Sequence, residues 1–273
     1  MRPLPSDNHV HSQFSYDRKP ESSMLAACAR AVELGVPSVA FTEHLDFSVW
    51  QAGDAVAARV SAVEPDPRIQ PLDLEHYLAS VAECRDRFPD LRVLTGVESG
   101  EAHLFGASLD QVLRTGRFDR VLGSCHAVVH EGVLVEVDTL VDVLPTPELM
   151  HRYLAEVLRL VEGSYAFEVL AHVDFARRYV RPGTFDEAAH EEDYRAVFRA
   201  LARSDRALEV NTKSPLASVD QVRWFREEGG RAVSFGSDAH VPWMVGSDFE
   251  LAVDVVEAAG FRPGRDPYDF WRA

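Results

Sequence analysis

The chain has 273 residues, 46% hydrophobic and 26% charged, proportions ordinary for one folded domain of α/β-barrel size. Its net charge of −16, from 28 basic and 44 acidic residues, argues against a nucleic-acid backbone as the main partner, because such binding rests on Lys and Arg neutralising phosphates. A small phosphate ester is not excluded, since bound divalent cations would dominate the local field.

No run approaches the length of uncharged apolar sequence that a membrane span needs, so no membrane partner is expected. The N-terminus lacks the apolar core of a secretory signal. Three cysteines, Cys28, Cys84 and Cys125, are too few and too odd in number for a disulfide framework. They are expected as buried thiols in a reducing cytoplasm. Oligomeric state is left open.

In chain order, a short apolar run, a polar turn and an amphipathic stretch repeat. The first strand is expected over 5–9, leading into Asp7-Asn-His9-Val-His11. Ser22 opens a helix that Gly35 closes, and a strand over 36–42 ends at Thr42-Glu43-His44. Residues 46–72 break the rhythm with Glu64-Pro65-Asp66-Pro67, and a segment of this length suggests a lid-like insertion over the site. Asp73 then caps a helix over 74–88, followed by a strand over 92–97 ending at Glu98.

The strand over 120–124 leads to Ser124-Cys125-His126, and Thr146-Pro147-Glu148 begins a helix reaching Gly163. A strand over 167–172 carries His172 and Asp174 at its end, and a helix spans 186–203. The strand over 207–211 leads to Asn211-Thr212-Lys213. Ser218 and Gln221 form a capping box for a helix closed by Gly229. The last strand, 231–236, stops before Ser237-Asp238-Ala239-His240. A helix with capping-box spacing at Ser247 and Glu250 then closes at Gly260.

Strands alternating with helices imply a parallel sheet with right-handed crossovers, and seven such units are enough to close a barrel. In such a barrel the carboxyl ends of all strands face one rim, where active sites are built. Six of the eleven histidines fall at those ends: His9, His11, His44, His126, His172 and His240. One histidine after an apolar run is most often structural. Six of them, joined by Glu98 and Asp238, point instead to divalent cations, with imidazole and carboxylate suiting zinc, iron or manganese.

Asp7-x-His9-x-His11, Phe41-Thr-Glu-His44, Gly96-Val-Glu98, Gly123-Ser-Cys-His126, Ala171-His172-x-Asp174 and Gly236-Ser-Asp-Ala-His240 together resemble the motifs of the PHP (polymerase and histidinol phosphatase) family. The resemblance covers essentially the whole chain. It is nearest to the monofunctional histidinol-phosphate phosphatases, through the segment 77–98 and Arg177-Arg178-Tyr179.

The resemblance implies a single domain, 1–273, folded as a distorted seven-stranded, TIM-like (β/α)7 barrel. Two or three divalent metal ions would sit at its C-terminal rim. One would take His9, His11, Glu98 and Asp238. A second would share Glu98 and add His126 and His172, and a third would use Asp17, His44 and His240. Asp17 stands where relatives often carry histidine. The implied reaction is hydrolysis of a phosphomonoester, L-histidinol phosphate, by a metal-bridging hydroxide, releasing L-histidinol and inorganic phosphate.

Glu98, Asp238, His240 and Asp174 are the candidate catalytic groups. The proton for the leaving group could come from metal-bound water, Asp174 or an adjacent histidine. Ser124, Cys125 and Ser237 lie near the site, but no side-chain nucleophile is needed. Arg177 and Arg178 are candidate phosphate contacts because guanidinium matches phosphate geometry, with one of the pair expected to face the site and Lys213 as a weaker candidate. Glu43, Asp46, Glu101 and His103 are candidates to meet the substrate's ammonium and imidazole. The alternatives are a phosphoesterase of this family acting on another phosphorylated alcohol, nucleotide or nucleic-acid end, a non-catalytic metal-binding module, and an amidohydrolase-type barrel. The last lacks an obvious bridging lysine here.

Overall fold

The computed structural model describes residues 3–50, 71–116, 118–164, 166–213 and 215–273. The expected lid-like insertion at 46–72 therefore falls, over 51–70, outside the described residues. One sheet organises the chain, with strands β1 (Asp7–Val10), β2 (Ser38–Leu45), β3 (Arg92–Gly100), β4 (Arg120–Ser124), β7 (Val169–Leu170), β8 (Ala207–Asn211) and β9 (Ala232–Gly236) side by side and parallel. A last strand, β10 (Trp271–Arg272), adds antiparallel to β9. The remaining pair, β5 (Ala127–His130) and β6 (Val133–Glu136), forms a separate hairpin.

The sheet curls until its first and last parallel strands approach. The His11 amide donates to the Ala239 carbonyl at 2.8 Å, and the Asp238 amide donates to the His9 carbonyl at 2.8 Å. The buried Asp7 carboxylate reinforces this seam by accepting from the amides of Ser237 (2.9 Å) and Gly246 (3.0 Å). The two His/Asp-bearing segments at opposite ends of the chain are thereby stitched together. The architecture is α/β with a curled, mainly parallel sheet.

Most expected elements form, with informative shifts at their ends. β1 begins at Asp7, two residues later than expected, and runs one residue past His9, while β2 runs on through His44 to Leu45. Ladder pairing with β3, continuous from Ser38↔Arg92 to Leu45↔Ser99, carries both strands past the polar residues that mark strand ends in a sequence. Helix Met24–Leu34 is capped by Ser23, whose side chain accepts from the Ala26 amide. Ser22 instead turns its hydroxyl to the His240 carbonyl. The C-cap Gly35 has φ 75°, the left-handed conformation that glycine adopts without strain.

Asp73 caps Leu74–Arg87, and the Ser218/Gln221 capping box is fully formed at the start of Val219–Glu227. Ser247 does not cap its helix. Asp248, at φ 56°, occupies that place before Phe249–Ala258 and makes no side-chain cap bond. Helix Thr146–Gly163 follows Pro145 without a side-chain cap, and the Thr146 hydroxyl pairs with Thr184 at 2.8 Å. The helix expected over 186–203 begins at Glu191, after a short 3-10 turn at Ala188–His190. The hairpin, helix Gly106–Thr115 and β10 had no counterpart in the expected elements.

The largest apolar cluster includes residues of β3, β8 and β9 and of helices Thr146–Gly163, Glu191–Arg203 and Phe249–Ala258. A second lies where Met24–Leu34 and Leu74–Arg87 cover β1 and β2, and it buries Cys28 and Cys84. All three cysteines are buried and free. No helix among the described residues is long and apolar enough to cross a membrane.

Candidate metal centre

The interior of the sheet is not apolar throughout. Near the carboxyl ends of the strands it holds a ring of buried histidines and carboxylates, with Glu98 at the middle. Glu98 and His44 are register partners on neighbouring strands, and alternation along β2 and β3 turns both to the same side. Glu98 Oε1 lies 2.7 Å from His172 Nε2 and 3.2 Å from His126 Nε2. Its Oε2 lies 3.1 Å from His44 Nδ1, 3.2 Å from His9 Nε2 and 3.4 Å from His11 Nε2.

Asp238 Oδ1 stands 3.6 Å from His11 Nε2 and 3.5 Å from His240 Nδ1. Asp17 reaches His240 Nε2 at 2.7 Å and His44 Nε2 at 3.7 Å. His9 and His11 bring their Nε2 atoms to 3.1 Å of each other, while the His11 and His44 rings stack at 4.2 Å. All nine side chains expected as metal ligands thus meet in one place.

The donor set fits cations. Glu98 Oε2 and His44 Nδ1, although close, make no properly directed hydrogen bond, and Asp17 Oδ1 and His172 Nδ1 are likewise without one among the described residues. Buried polar atoms left so are costly unless another charge completes them. Four overlapping triads have donor atoms mutually within 4.8 Å: His11/His44/His240, His9/His11/Asp238, His9/Glu98/His172 and His44/Asp46/His126. Borderline nitrogen and hard oxygen donors without thiolate suit zinc, manganese or iron. Backbone strain accompanies the cluster, with Asp238 at φ 51° and His172 at φ 20°, as happens where function over-determines conformation.

Charge is finely set here. Burial works to lower the His44 pKa, but Glu98 and Asp46 outweigh it and lift it to about 9. Burial would raise Glu98, yet His9, His44 and His126 hold it well below the usual carboxylate range. On the cavity wall, burial lifts Glu136 to about 7, with Asp46 and Asp138 acting in the same direction.

The cluster floors a cavity of about 440 Å³, within the range of small-molecule sites, whose walls include Tyr16, Glu136, Phe175, Arg178, Tyr179 and Lys213. Arg178 and Lys213 meet at Asp238. The guanidinium is 2.7 Å from Asp238 Oδ2 and 3.1 Å from Asn211 Oδ1, and Lys213 Nζ is 3.2 Å from Asp238 Oδ1.

Three expected site residues are placed elsewhere. Asp174 accepts from Tyr194 Oη (2.7 Å), Gln221 Nε2 (2.8 Å) and Arg177 (3.1 Å), and it is not on the cavity wall. Arg177 stacks on Phe185, its guanidinium 4.6 Å from the ring centroid, because consecutive residues of the 3-10 turn Phe175–Arg178 point about a third of a turn apart. His103 follows the reversal at Glu101 (φ 44°) and pairs with the buried Glu156 at 2.7 Å, outside the cavity wall.

Two contributors carry roles the sequence reading did not give them. Asp46, weighed only as a substrate contact, joins His44 Nδ1 and His126 Nδ1, each at 3.1 Å. Its spacing, two residues after His44, was the available signal. Glu209 accepts from His9 Nδ1 at 2.7 Å, the His172 amide at 2.8 Å and Asn211 Nδ2 at 3.0 Å. An acid in the middle of the apolar run Ala207-Leu-Glu-Val-Asn211 was its only mark.

A curled α/β sheet that gathers histidines and carboxylates at one rim, beside an arginine and a lysine, defines a scaffold for several divalent cations and an anionic ligand. The sequence profile of the PHP domain matches residues 7–213, and the chain belongs to that family. It is 25% identical over 269 residues to the histidinol-phosphatase of Lactococcus lactis, covering 93% of this chain and 91% of that protein. It is 24% identical over 265 residues to the Clostridium acetobutylicum protein named "Probable histidinol-phosphatase", covering 94% of each. In three dimensions it superimposes on the Lactococcus lactis histidinol phosphate phosphatase, crystallised with zinc, L-histidinol and phosphate, with a TM-score of 0.76 at 24% identity. That match covers 96% of this chain and 95% of the other.

Proposed function

We propose that this protein is a metal-dependent phosphomonoesterase that converts L-histidinol phosphate to L-histidinol and inorganic phosphate. The observation carrying this reading is the convergence of His9, His11, His44, Glu98, His126, His172, Asp238 and His240 beside Arg178 and Lys213. The near full-length similarity to histidinol-phosphatases selects the substrate. We read the chain as one domain, its sheet acting as a distorted seven-stranded barrel.

In this scheme His9, His11, Glu98 and Asp238 hold one cation. Glu98, His126 and His172 hold a second, and Asp17, His44 and His240 hold a third, with Asp46 bracing His44 and His126. When bound, such cations lower the pKa of coordinated water and draw charge from phosphoryl oxygens. The chain's own residues bind and orient. Arg178 has a guanidinium suited to two phosphoryl oxygens and Lys213 adds a point charge, both now held toward the centre by Asp238. Asp174, engaged by Tyr194 and Gln221, is not assigned the proton transfer. The rings of Phe175 and Tyr179, packed edge to face with centroids 5.3 Å apart, offer an apolar wall to an imidazole.

The test is elemental analysis of the purified protein together with phosphate release from L-histidinol phosphate. Roughly two to three equivalents of zinc, manganese or iron per chain are expected. Turnover should exceed that of generic aryl phosphates by a wide margin in kcat/KM. Metal without turnover of any phosphate ester overturns the reading.

A further inference from the structure

The cavity has one carboxylate that the scheme above leaves unused. Glu136 ends β6 of the hairpin, directly opposite Ala127 and therefore beside His126 at the rim. Among the described residues its carboxylate makes no hydrogen bond and no ion pair, although it lies on the cavity wall. Asp17, Asp46, Glu98 and Asp238 are all engaged by histidines or by Arg178 and Lys213. A carboxylate taken partly out of water is costly unless a charge answers it. Nothing in the cluster around Glu98 requires Glu136.

The hairpin places this group deliberately. Its two-residue turn, Glu131 (φ 50°) and Gly132 (φ 82°), has both central residues in the left-handed region, the tight form that fixes strand register. The Val137 amide donates to the His126 carbonyl at 3.0 Å, locking the end of the hairpin against the rim. Aromatic groups share the wall with Glu136: Tyr16, Phe175 and Tyr179. The arginine and lysine of the wall, Arg178 and Lys213, gather instead around Asp238, and the charged group nearest Glu136 along the rim is His126. The cavity is thus polarised, with Arg178 and Lys213 at Asp238 and, toward the hairpin, a carboxylate without hydrogen bond or ion pair beside His126 and the aromatic rings.

We infer that Glu136 is the specificity-determining residue that receives the substrate's ammonium group, selecting phosphate esters of amino alcohols over amine-free esters. This rests on the reading of the site as a phosphomonoesterase. A zwitterionic ester matches both poles: the phosphoryl group lies toward Arg178 and Lys213, and the ammonium ion-pairs with Glu136 near the rings, where a cation is also favoured. An ester without the amine leaves Glu136 unanswered and gains nothing from it.

The variant is Glu136→Gln, which keeps the shape and removes the charge. Two measurements read it on the metal-loaded protein. In calorimetric titration, L-histidinol should bind at least about tenfold more weakly to the variant, while inorganic phosphate binds within about twofold of wild type. In kinetics, kcat/KM for L-histidinol phosphate should fall about 10- to 100-fold, chiefly through KM. For p-nitrophenyl phosphate it should hold within about threefold, which also shows that the variant is folded and loaded.

Equal losses for both esters overturn the inference, because Glu136 would then support the site as a whole. No change in either ester, or unchanged L-histidinol affinity, overturns it as well. A wild type that hydrolyses p-nitrophenyl phosphate but not L-histidinol phosphate overturns the substrate reading alone. The inference about Glu136 is then decided by comparing an aminoalkyl phosphate with its alkyl counterpart. A protein that hydrolyses no phosphate ester overturns both.

Discussion

Glu209 Oε1 lies 2.7 Å from His9 Nδ1, and both side chains are fully enclosed. A carboxylate only accepts, so this contact fixes the proton of His9 on Nδ1 and turns the Nε2 lone pair toward Glu98 and Asp238. The same carboxylate accepts from the His172 amide and from Asn211 Nδ2. Asn211 therefore presents its Oδ1 to Arg178. One buried acid thus sets a tautomer, a strained histidine backbone and the orientation of an amide beside Arg178.

Replacing Glu209 with Gln puts an NH2 group where one of those three donors now points. Metal affinity is expected to fall about 10- to 100-fold, the usual effect of removing a group that orients a metal-bound histidine. Competition with a chromogenic chelator measures it. A variant with wild-type affinity would show that His9 needs no such support.

Gly236 belongs to the same arrangement. A Cβ there would lie 2.1 Å from Glu209 Oε1 and 2.6 Å from His9 Cβ, distances that real Cβ contacts do not reach. Gly236→Ala must therefore displace the pair. A loss of about 1–3 kcal/mol in stability is expected, the range for overpacking a close-packed interior, together with loss of bound metal. Denaturant unfolding and metal analysis read the two effects separately, and an alanine variant that keeps both would contradict the packing.

Arg177 and Arg178 are adjacent in sequence but differently placed, Arg178 on the cavity wall and Arg177 against Phe185. Arg178→Ala is expected to lower kcat/KM about 10²- to 10³-fold and to weaken inhibition by inorganic phosphate. Arg177→Ala removes a stack on Phe185 and contacts to Asp174 and Glu187. It is expected to lower thermal stability with kcat/KM within about threefold of wild type. Comparable kinetic losses in both variants would show that Arg177 also faces substrate.

What could be read from the sequence followed from spacing. His9 and His11, His44 and Asp46, and Asp238 and His240 are i, i+2 pairs whose positions alone announce a shared face. The parallel, alternating order of strands was visible for the same reason. The hairpin at 127–136 was not, because its four-residue strands follow a histidine marking a site and lie in a stretch read as connection. With it, Glu136 passed unnoticed. Asp174 and Arg177 lie off the cavity wall because Asp174 precedes a 3-10 turn in which each residue is rotated away from its neighbour, which no strand-based spacing anticipates. Glu209 was hidden by its partner's distance, 200 residues back in the chain.

Burial alone would raise the Glu156 pKa. Hydrogen bonds from His103 and from Arg159 more than offset it and hold the carboxyl at about 2, below its ordinary 4.5. A carboxyl whose pKa is lower folded than unfolded stabilises the fold fully above the unfolded value. That stabilisation is lost as pH falls through the folded one. Arg159 is more than half exposed, so solvent screens its share, and the contribution at neutral pH is about 1–2 kcal/mol. Glu156→Gln should therefore be less stable than wild type by about that amount at pH 7. The gap should begin to close near pH 4.5 and shrink toward pH 2. Urea unfolding of both proteins across that range decides it: a gap that stays constant with pH would mean that lost packing, and not the charge of Glu156, accounts for the difference.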